Sequence, residues 1–481
     1  MRVCLVNPPK TYQVWAGVPD IFNGPDAYLF PPLGIMYLSG HLKREGRHEP
    51  ILFDCVAEGL SAEEAGRRIA ERKPRVLGVT ANSHNLVNVV EVIRAVRQRQ
   101  PDIFVTVGGS HVTSFPEEAA RLPGVDAAVR GDGEATLSAL LDRLETGRDW
   151  RDLQNVSFIE GGEVRVNEYV KPTDDLDLFP FPDRAGLAAE HYYTPGMKKA
   201  TATTIISSRG CPYRCAFCSV PHNYRTRSAK NIVDELEYCS RELGIQEFHF
   251  IDDIFNITPQ RVMEISELIL QRKLDILWGF KAGCIAVNEE MLKLARRAGC
   301  IRIHYGVETW SDAGLEALNK KARVPQIRAA FAMTRSAGIR PIAYMIIGSP
   351  HDRTEDDVMQ ALSFVKTLRP DYVVFSLYTP YPDAPIFKEG VAKGLWDAEC
   401  WQRFMRNPVR EYDLPTVWNE FLSKEQLVHL LKRVHNGFYF SPGVLLRTVA
   451  SMRTIPEFIR LVRGGLILLK LQTLPAASRR I

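Results

Sequence analysis

The feature that most constrains this chain is a repeated alternation of short apolar runs with amphipathic helical stretches, in two separate blocks. In the first block the apolar runs lie at 3–7, 51–53, 76–80, 104–107 and 127–129, with helical patterns such as 62–72 and 87–98 between them. Runs that are apolar throughout suit strands buried on both faces, as in a parallel sheet covered by helices. Residues 1–150 are therefore expected to form an α/β domain with an open, doubly wound sheet of the Rossmann or flavodoxin kind. Ligands on such sheets bind beyond the carboxyl ends of the strands. Residues 151–196 lose the rhythm and are rich in proline and acid around Asp174-Asp175 and Pro180-Phe181-Pro182, which reads as a linker. The alternation returns over 197–390, with strands expected near 202–207, 247–251, 276–281, 301–307, 341–347 and 372–377. Helices are expected near 229–243, 259–272, 288–297, 326–336 and 355–367. Ser228 can cap the first of these helices and Gly244 can close it, and Thr354 with Asp357 can form a capping box for the last. Six βα units fall short of the eight of a closed barrel, so a partial (βα)6 barrel of TIM type is expected. Residues 391–481 are helical in pattern.

Bulk properties set limits on function. The chain has 481 residues, 45% hydrophobic and 25% charged, as in a folded protein of two or three domains. A net charge of +4 gives no general argument for nucleic-acid binding. No apolar run is long enough to span a bilayer, and the first residues read as a strand and not as a secretory signal. Nine cysteines, an odd number, point away from a disulfide framework and toward a reducing compartment, the cytoplasm by default.

Three of the cysteines stand together in Ser207-Ser208-Arg209-Gly210-Cys211-Pro212-Tyr213-Arg214-Cys215-Ala216-Phe217-Cys218, directly after the first strand of the second block. Thiolates so spaced, on a loop at a strand's carboxyl end, can hold three irons of a [4Fe-4S] cluster. No fourth cysteine follows at ligand spacing, so one iron would stay open to a small molecule. His222 leaves a zinc site open as an alternative. Cys4, Cys55, Cys239, Cys284, Cys300 and Cys400 are scattered and read as core residues.

The Cys-x3-Cys-x2-Cys motif, with an aromatic residue before its last cysteine, resembles the signature of radical S-adenosylmethionine (SAM) enzymes. The resemblance covers residues 201–390. It implies that the open iron binds the amino and carboxylate groups of SAM, and that reduction releases a 5′-deoxyadenosyl radical. On that resemblance Phe217, Asp252, Asp253, Glu308 and the turn Gly348-Ser349-Pro350 are candidate SAM contacts. Each also has a plain reading, as a packed aromatic, a helix cap or a tight turn.

A doubly wound domain ahead of such a barrel resembles the cobalamin (B12)-binding branch of the family. Asp54-Cys55-Val56-Ala57-Glu58-Gly59 has the spacing of the Asp-x-His-x-x-Gly cobalamin loop, with Val56 where the histidine would stand. Ser83, the pair Gly108-Gly109 and His111 complete the candidate corrin residues. The departure at Val56 implies a cobalt with no imidazole from this loop. A nicotinamide or flavin site is disfavoured, since no Gly-x-Gly-x-x-Gly opens a helix here.

The resemblance implies methylation of an unactivated carbon as the reaction that needs both cofactors. Oxidative cyclisation or hydroxylation is the alternative within the same fold. A non-catalytic cluster-and-corrin sensor or electron carrier is the alternative of another class. A thiomethyl-transferring tRNA modifier is set aside, because no basic RNA-binding tail domain is present. The expected partners are a small-molecule substrate, lipid-like or tetrapyrrole, and a flavodoxin or ferredoxin as reductant, with no nucleic acid. Trp401, Trp418 and Phe438–Phe440 read as core. The basic tail (Arg447, Arg453, Arg460, Arg463 and Lys470 around the apolar run 466–469) is a candidate for peripheral membrane contact.

Overall fold

The computed structural model describes residues 1–12, 29–192, 197–199, 201–412 and 414–450. The chain divides into two units, the first made of the N-terminal strand, Leu29–Tyr192 and Asp397–Leu414, and the second of the remainder. In the first unit, β1 (Arg2–Asn7), β2 (Glu49–Asp54), β3 (Val76–Thr80), β4 (Phe104–Gly108) and β5 (Ala127–Val129) form a parallel sheet in the order β2-β1-β3-β4-β5. That is the flavodoxin-like order, and its switch point lies between β1 and β3. Val3, Leu5, Val76, Leu77, Val105 and Val107 are almost wholly buried, which is why these strands were legible as unbroken apolar runs.

The expected linker is a correction. β6 (Val156–Glu160) and β7 (Glu163–Val166) form a hairpin over Gly161 and Gly162, both with positive φ, and β6 joins the edge of β5 antiparallel. Further on, the Asp183 N–H donates to the Met36 carbonyl at 2.9 Å, and the Ser39 hydroxyl donates to the Asp183 carboxylate at 2.6 Å. Gly40 makes this docking possible, because a Cβ there would lie 2.5 Å from the Phe181 carbonyl oxygen. Most of 151–192 is thus built into the first unit.

In the second unit, β8 (Ala202–Ile205), β11 (Glu247–Phe250), β12 (Leu277–Ala282), β13 (Cys300–Glu308), β14 (Arg340–Ile347) and β15 (Tyr372–Leu377) form an open parallel sheet in the order β15-β14-β13-β12-β11-β8. A two-stranded ribbon, β9 (Ser208–Arg209) with β10 (Arg225–Thr226), stands beside it. This is the expected partial barrel. Its helices start where the caps place them: the Ser228 hydroxyl accepts from the Asn231 N–H, and Thr354 with Asp357 makes a reciprocal box. One face of every strand packs against the helices, through Phe248, Phe250, Trp278, Phe280, Ile303, Tyr305, Met345 and Phe375. The opposite face is more polar. There Arg302 crosses to Glu247 as a buried ion pair, and it passes over Gly279, where a Cβ would lie 2.4 Å from the Arg302 Cγ.

The C-terminal stretch does not form one helical domain. Asp397–Leu414, with the helix Cys400–Arg406, belongs to the first unit, whereas the helix Lys424–Tyr439 lies against β15 in the second. Trp401, Trp418 and Phe438 are buried, as expected for core aromatics, whereas Phe440, at the end of the helix, is exposed. β15 is an edge strand, and this helix closes it with side chains. The Phe375 N–H donates to His435 Nε2 at 3.3 Å, and the Tyr439 hydroxyl donates to the Val373 carbonyl at 2.6 Å. The basic tail Arg453, Arg460, Arg463 and Lys470, and the side chain of Arg447, lie outside the described residues. Among the described residues no helix is long and apolar enough to cross a membrane.

The Arg302–Glu247 pair gives a stability prediction. Glu247→Leu removes the carboxylate that faces the buried Arg302 guanidinium and that accepts from the Lys198 and Lys199 N–H groups, and should cost about 3–5 kcal/mol, of which adding Arg302→Leu should restore only the part due to the ion pair. Urea midpoints of the single and double variants check this. A single variant as stable as wild type would deny the pair its role.

Candidate metal centre and cofactor sites

The cysteine loop starts from a tightly held strand end. Asp252, two residues beyond β11, accepts hydrogen bonds from the Ser207 N–H at 3.0 Å, the Ser207 hydroxyl at 2.8 Å and the Ser208 hydroxyl at 2.5 Å. Arg261 donates to the Ser207 carbonyl at 2.8 Å and to the Arg227 carbonyl at 3.0 Å. The β9–β10 ribbon then ties the base of the loop. Gly210 turns the chain with φ +80, and a Cβ there would lie 2.5 Å from the Asn223 carbonyl oxygen. The Cys211 N–H donates to the Pro221 carbonyl at 2.9 Å, and the Ala216 N–H to the Leu318 carbonyl at 3.0 Å.

Cys211, Cys215 and Cys218 are partly exposed, while the other six cysteines are buried and all nine are free. Burial pushes the three thiols up, Cys218 to about 11, and Lys320 pulls Cys211 and Cys215 the other way. Among the described residues no three His, Cys, Asp or Glu side chains converge where one ion could be held. A cubane instead takes each thiolate on its own iron, so soft, separated, accessible thiols on a braced loop suit a cluster. His222, the possible zinc ligand, turns Nδ1 to the Cys211 carbonyl at 3.4 Å.

The expected SAM contacts fall into two groups. Asp252 is buried, and one of its carboxylate oxygens is taken up by the two serines, so it positions the loop, while the other oxygen has no hydrogen-bond partner among the described residues. Phe217 packs with Tyr378, ring centroids 6.4 Å apart, beside the Leu318–Ile386–Trp418 cluster. Asp253 is more open. It accepts a Gly210 N–H and sits within electrostatic reach of Lys281 and of Cys211 and Cys218. Glu308 has φ +67 at an irregularity in the β13–β14 register, a conformation that costs a non-glycine residue about 1–3 kcal/mol. Its carboxylate accepts from the Lys320 ammonium at 2.6 Å and lies over Gly306, where a Cβ would be 2.3 Å away. Burial opposes the Lys320 charge, but Glu308 and Cys215 outweigh it and hold the ammonium above its usual range. Gly348, with φ +73, begins the turn after β14, and Asp352 accepts from both the Ser349 N–H and hydroxyl at 3.1 Å, with Pro350 next in the turn. Lys320 and Asp352 escaped sequence reasoning. Lys320 sits in a short charged run that reads as a solvated face.

In the first unit, the candidate corrin residues gather beyond β2, β3 and β4. Asp54 is fully engaged: it accepts from Asn7 Nδ2 at 2.8 Å, the Val56 N–H at 3.2 Å and the Tyr192 hydroxyl at 2.9 Å. Val56 and Gly59 shape the turn that follows. The Ser83 hydroxyl lies 3.1 Å from His111 Nδ1. His111 is 1% exposed, and burial pushes it down to about 4, so its ring is neutral. At the end of β4, after Gly108, Gly109 has φ +116, and a Cβ there would lie 2.6 Å from the Ala81 carbonyl oxygen. His84, which is partly exposed, packs its ring edge-on against Trp401. A bare glycine turn at the carboxyl end of β4, beside that of β3, suits a nucleotide-tailed corrin, and valine at position 56 offers no imidazole to its cobalt.

Comparison with known proteins agrees with this geometry. A family model described as the B12 binding domain matches residues 21–141, and one described as the Radical SAM superfamily matches 205–365. An uncharacterized methyltransferase of Pyrococcus horikoshii, PH0819, is 31% identical over 426 residues, covering 87% of this chain and 90% of that protein. The anaerobic magnesium-protoporphyrin IX monomethyl ester cyclase of Rubrivivax gelatinosus is 29% identical over 75% of this chain and 66% of its own length. Among solved structures, the radical SAM methyltransferase TsrM of Kitasatospora setae, with cobalamin and a [4Fe-4S] cluster, matches with a TM-score of 0.72 at 18% identity, covering 98% of this chain and 99% of that one.

Two predictions follow from this geometry. Gly210→Ala forces the cysteine loop off the Asn223 carbonyl, and the protein should take up less than about a quarter of wild-type iron on anaerobic reconstitution, with an unchanged far-ultraviolet dichroism spectrum. Wild-type iron uptake would show that the turn tolerates the Cβ. His111 gives a pH dependence. Its folded value near 4 lies below the ordinary 6.5, so the unfolded chain takes the proton first. The stability it contributes is complete above about pH 6.5 and is lost as pH falls toward about 4, roughly 2 kcal/mol by pH 5. Unfolding of wild type and His111→Gln at pH 7 and pH 5 tests this, the variant showing the smaller difference.

Proposed function

The chain belongs to the radical SAM superfamily, in the branch with an N-terminal B12 binding domain, and from that premise we propose that it methylates an unactivated carbon of a small molecule. The observation that carries the reading is the braced three-cysteine loop at the mouth of a half-barrel, beside the strained Glu308 and its Lys320 partner. When bound, a [4Fe-4S] cluster, SAM and cobalamin supply one-electron cleavage of SAM, hydrogen abstraction by the released 5′-deoxyadenosyl radical, and a transferable methyl group.

The chain's own residues bind and position. Cys211, Cys215 and Cys218 would hold a [4Fe-4S] cluster and leave one position on it open to SAM. Glu308, with its backbone fixed and its charge set by Lys320, orients SAM, and the Gly348-Ser349-Pro350 turn lets it approach without a side chain in the way. Asp253, next to the loop, is the acid available to an amino group, and Phe217 supports the loop from below. In the first unit, Gly108, Gly109, Ser83 and His111 would hold the nucleotide part of a cobalamin, and the loop of Asp54, Val56 and Gly59 would hold its corrin, offering it no imidazole. Nine free thiols suit the cytoplasm, and a flavodoxin or ferredoxin is the class of reductant such a cluster needs.

Methylation is preferred because PH0819 is described as a methyltransferase and is similar over nearly its whole length. Oxidative cyclisation is kept as a second reading, because the Rubrivivax cyclase is nearly as similar over the part it shares. That relative also makes a tetrapyrrole the first substrate class to try, ahead of a lipid-like one.

Anaerobic expression with cobalamin, followed by reduction in the presence of SAM, tests the reading. The expected outcome is about four irons and one corrinoid per chain, iron lost in the triple cysteine-to-alanine variant, and release of both 5′-deoxyadenosine and S-adenosylhomocysteine. Zinc in place of iron would overturn the cluster. 5′-Deoxyadenosine without S-adenosylhomocysteine would favour cyclisation, and neither product would leave a non-catalytic carrier.

A further inference from the structure

The inner face of the half-barrel carries a polar wall that the reading above leaves unused. Alternation sends Phe248, Phe250, Trp278, Phe280, Ile303 and Tyr305 to the helix-covered side, so Glu247, His249, Lys281, Arg302 and His304 face the lumen. Register sets Lys281 beside His304 on neighbouring strands. The rings of His249 and His304 meet edge-on, centroids 4.7 Å apart, and His304 Nδ1 is 3.0 Å from the Tyr344 hydroxyl. His304 Nε2 is buried and has no hydrogen-bond partner among the described residues. Arg302 is already committed to Glu247.

Lys281 is not committed. Among the described residues its ammonium makes no hydrogen bond or ion pair, and the acids within electrostatic reach are Asp253, which is exposed, and Asp252, which is held by the serines. Burial lowers the affinity of both imidazoles and of this amine for protons, so the two rings are neutral and offer no repulsion to a cation or competition for an anion. An enclosed ammonium without a bonded counter-ion is costly, and a carboxylate from outside the chain would relieve that cost. Along the same inner face β14 and β15 present the apolar side chains Ile342, Ile346 and Val374, with Tyr344 and Ser376 between them.

We propose that Lys281, with His304 and Tyr344 as hydrogen-bonding neighbours, receives the carboxylate of an amphipathic acid substrate whose apolar part lies along Ile342, Ile346 and Val374. The proposal deepens the functional reading and rests on it, since the lumen takes substrate only if the barrel is a SAM-cleaving core. SAM carries a carboxylate of its own, so the test separates the two sources.

Octanoate and octanamide are titrated calorimetrically into cluster-reconstituted wild type, Lys281→Met and Lys281→Arg, with and without saturating SAM. The expected result is octanoate binding about tenfold more tightly than octanamide in wild type and Lys281→Arg, as one charge-assisted hydrogen bond provides. Lys281→Met should lose that preference, and SAM should leave it unchanged. Equal affinity for the two probes in wild type, or a preference that survives in Lys281→Met, overturns the proposal. So does displacement of octanoate by SAM, which would give the ammonium to the carboxylate of SAM. Iron content and 5′-deoxyadenosine release by wild type, read in the same preparations, report separately on the underlying functional reading.

Discussion

Asp252 ties the end of β8 to the end of β11 through Ser207 and Ser208, and the whole cysteine loop is positioned from that tie. Burial pushes the Asp252 carboxyl up, and the hydrogen bonds from both serines and the charge of Arg261 work against that shift. Arg261 reaches the same strand end from the neighbouring helix, so Ser207 is held from two sides. Downstream of this anchor the loop is pinned at Ala216, whose N–H donates to the Leu318 carbonyl and whose carbonyl accepts from the Ile386 N–H, and the left-handed Gly210 sets its direction. Three thiols can then stand apart on a loop that would otherwise wander.

Both units place their chemistry at the carboxyl ends of parallel strands, and in both the decisive residue is one that lacks a side chain. Gly109 sits against the Ala81 carbonyl in the first unit, and Gly306 lies under the Glu308 carboxylate in the second. Helices supply bulk and stability on the outer faces. The strand ends supply strain and close approach. Glu308 shows the division most clearly, since its unfavourable backbone is maintained by a nine-residue strand behind it and by the Lys320 ammonium in front.

Much of this was readable from the sequence, for physical reasons. Strands buried on both faces leave unbroken apolar runs, and caps such as Ser228 and Thr354 mark helix starts by their own chemistry. The cysteine motif was legible because its spacing is local. What escaped depends on contacts distant in sequence. Residues 151–196 look like a linker because proline and acid dominate them, yet the Phe181 carbonyl lies close against Gly40 and Val156 onward forms a hairpin. Asp252 and Asp253 are adjacent and chemically alike, but one is turned to the serines and the other to the loop. Nor does any local pattern mark that Asp397–Leu414 belongs with the first unit.

The helix Lys424–Tyr439 closes β15 through an imidazole used as an acceptor, and that choice fixes more than a hydrogen bond. With Nε2 accepting from Phe375 and Nδ1 facing the Leu431 carbonyl at 2.9 Å, only one tautomer of His435 satisfies both neighbours. Burial keeps the ring neutral, with its value pushed down to about 4, so the acceptor survives mild acid. An open half-barrel has two raw margins, each a template for adding a foreign strand. Here one margin is sealed by a segment far along the chain. During synthesis the sheet must therefore wait, with that margin bare, until the ribosome has released a further helix, and its vulnerability to self-association is greatest in that interval.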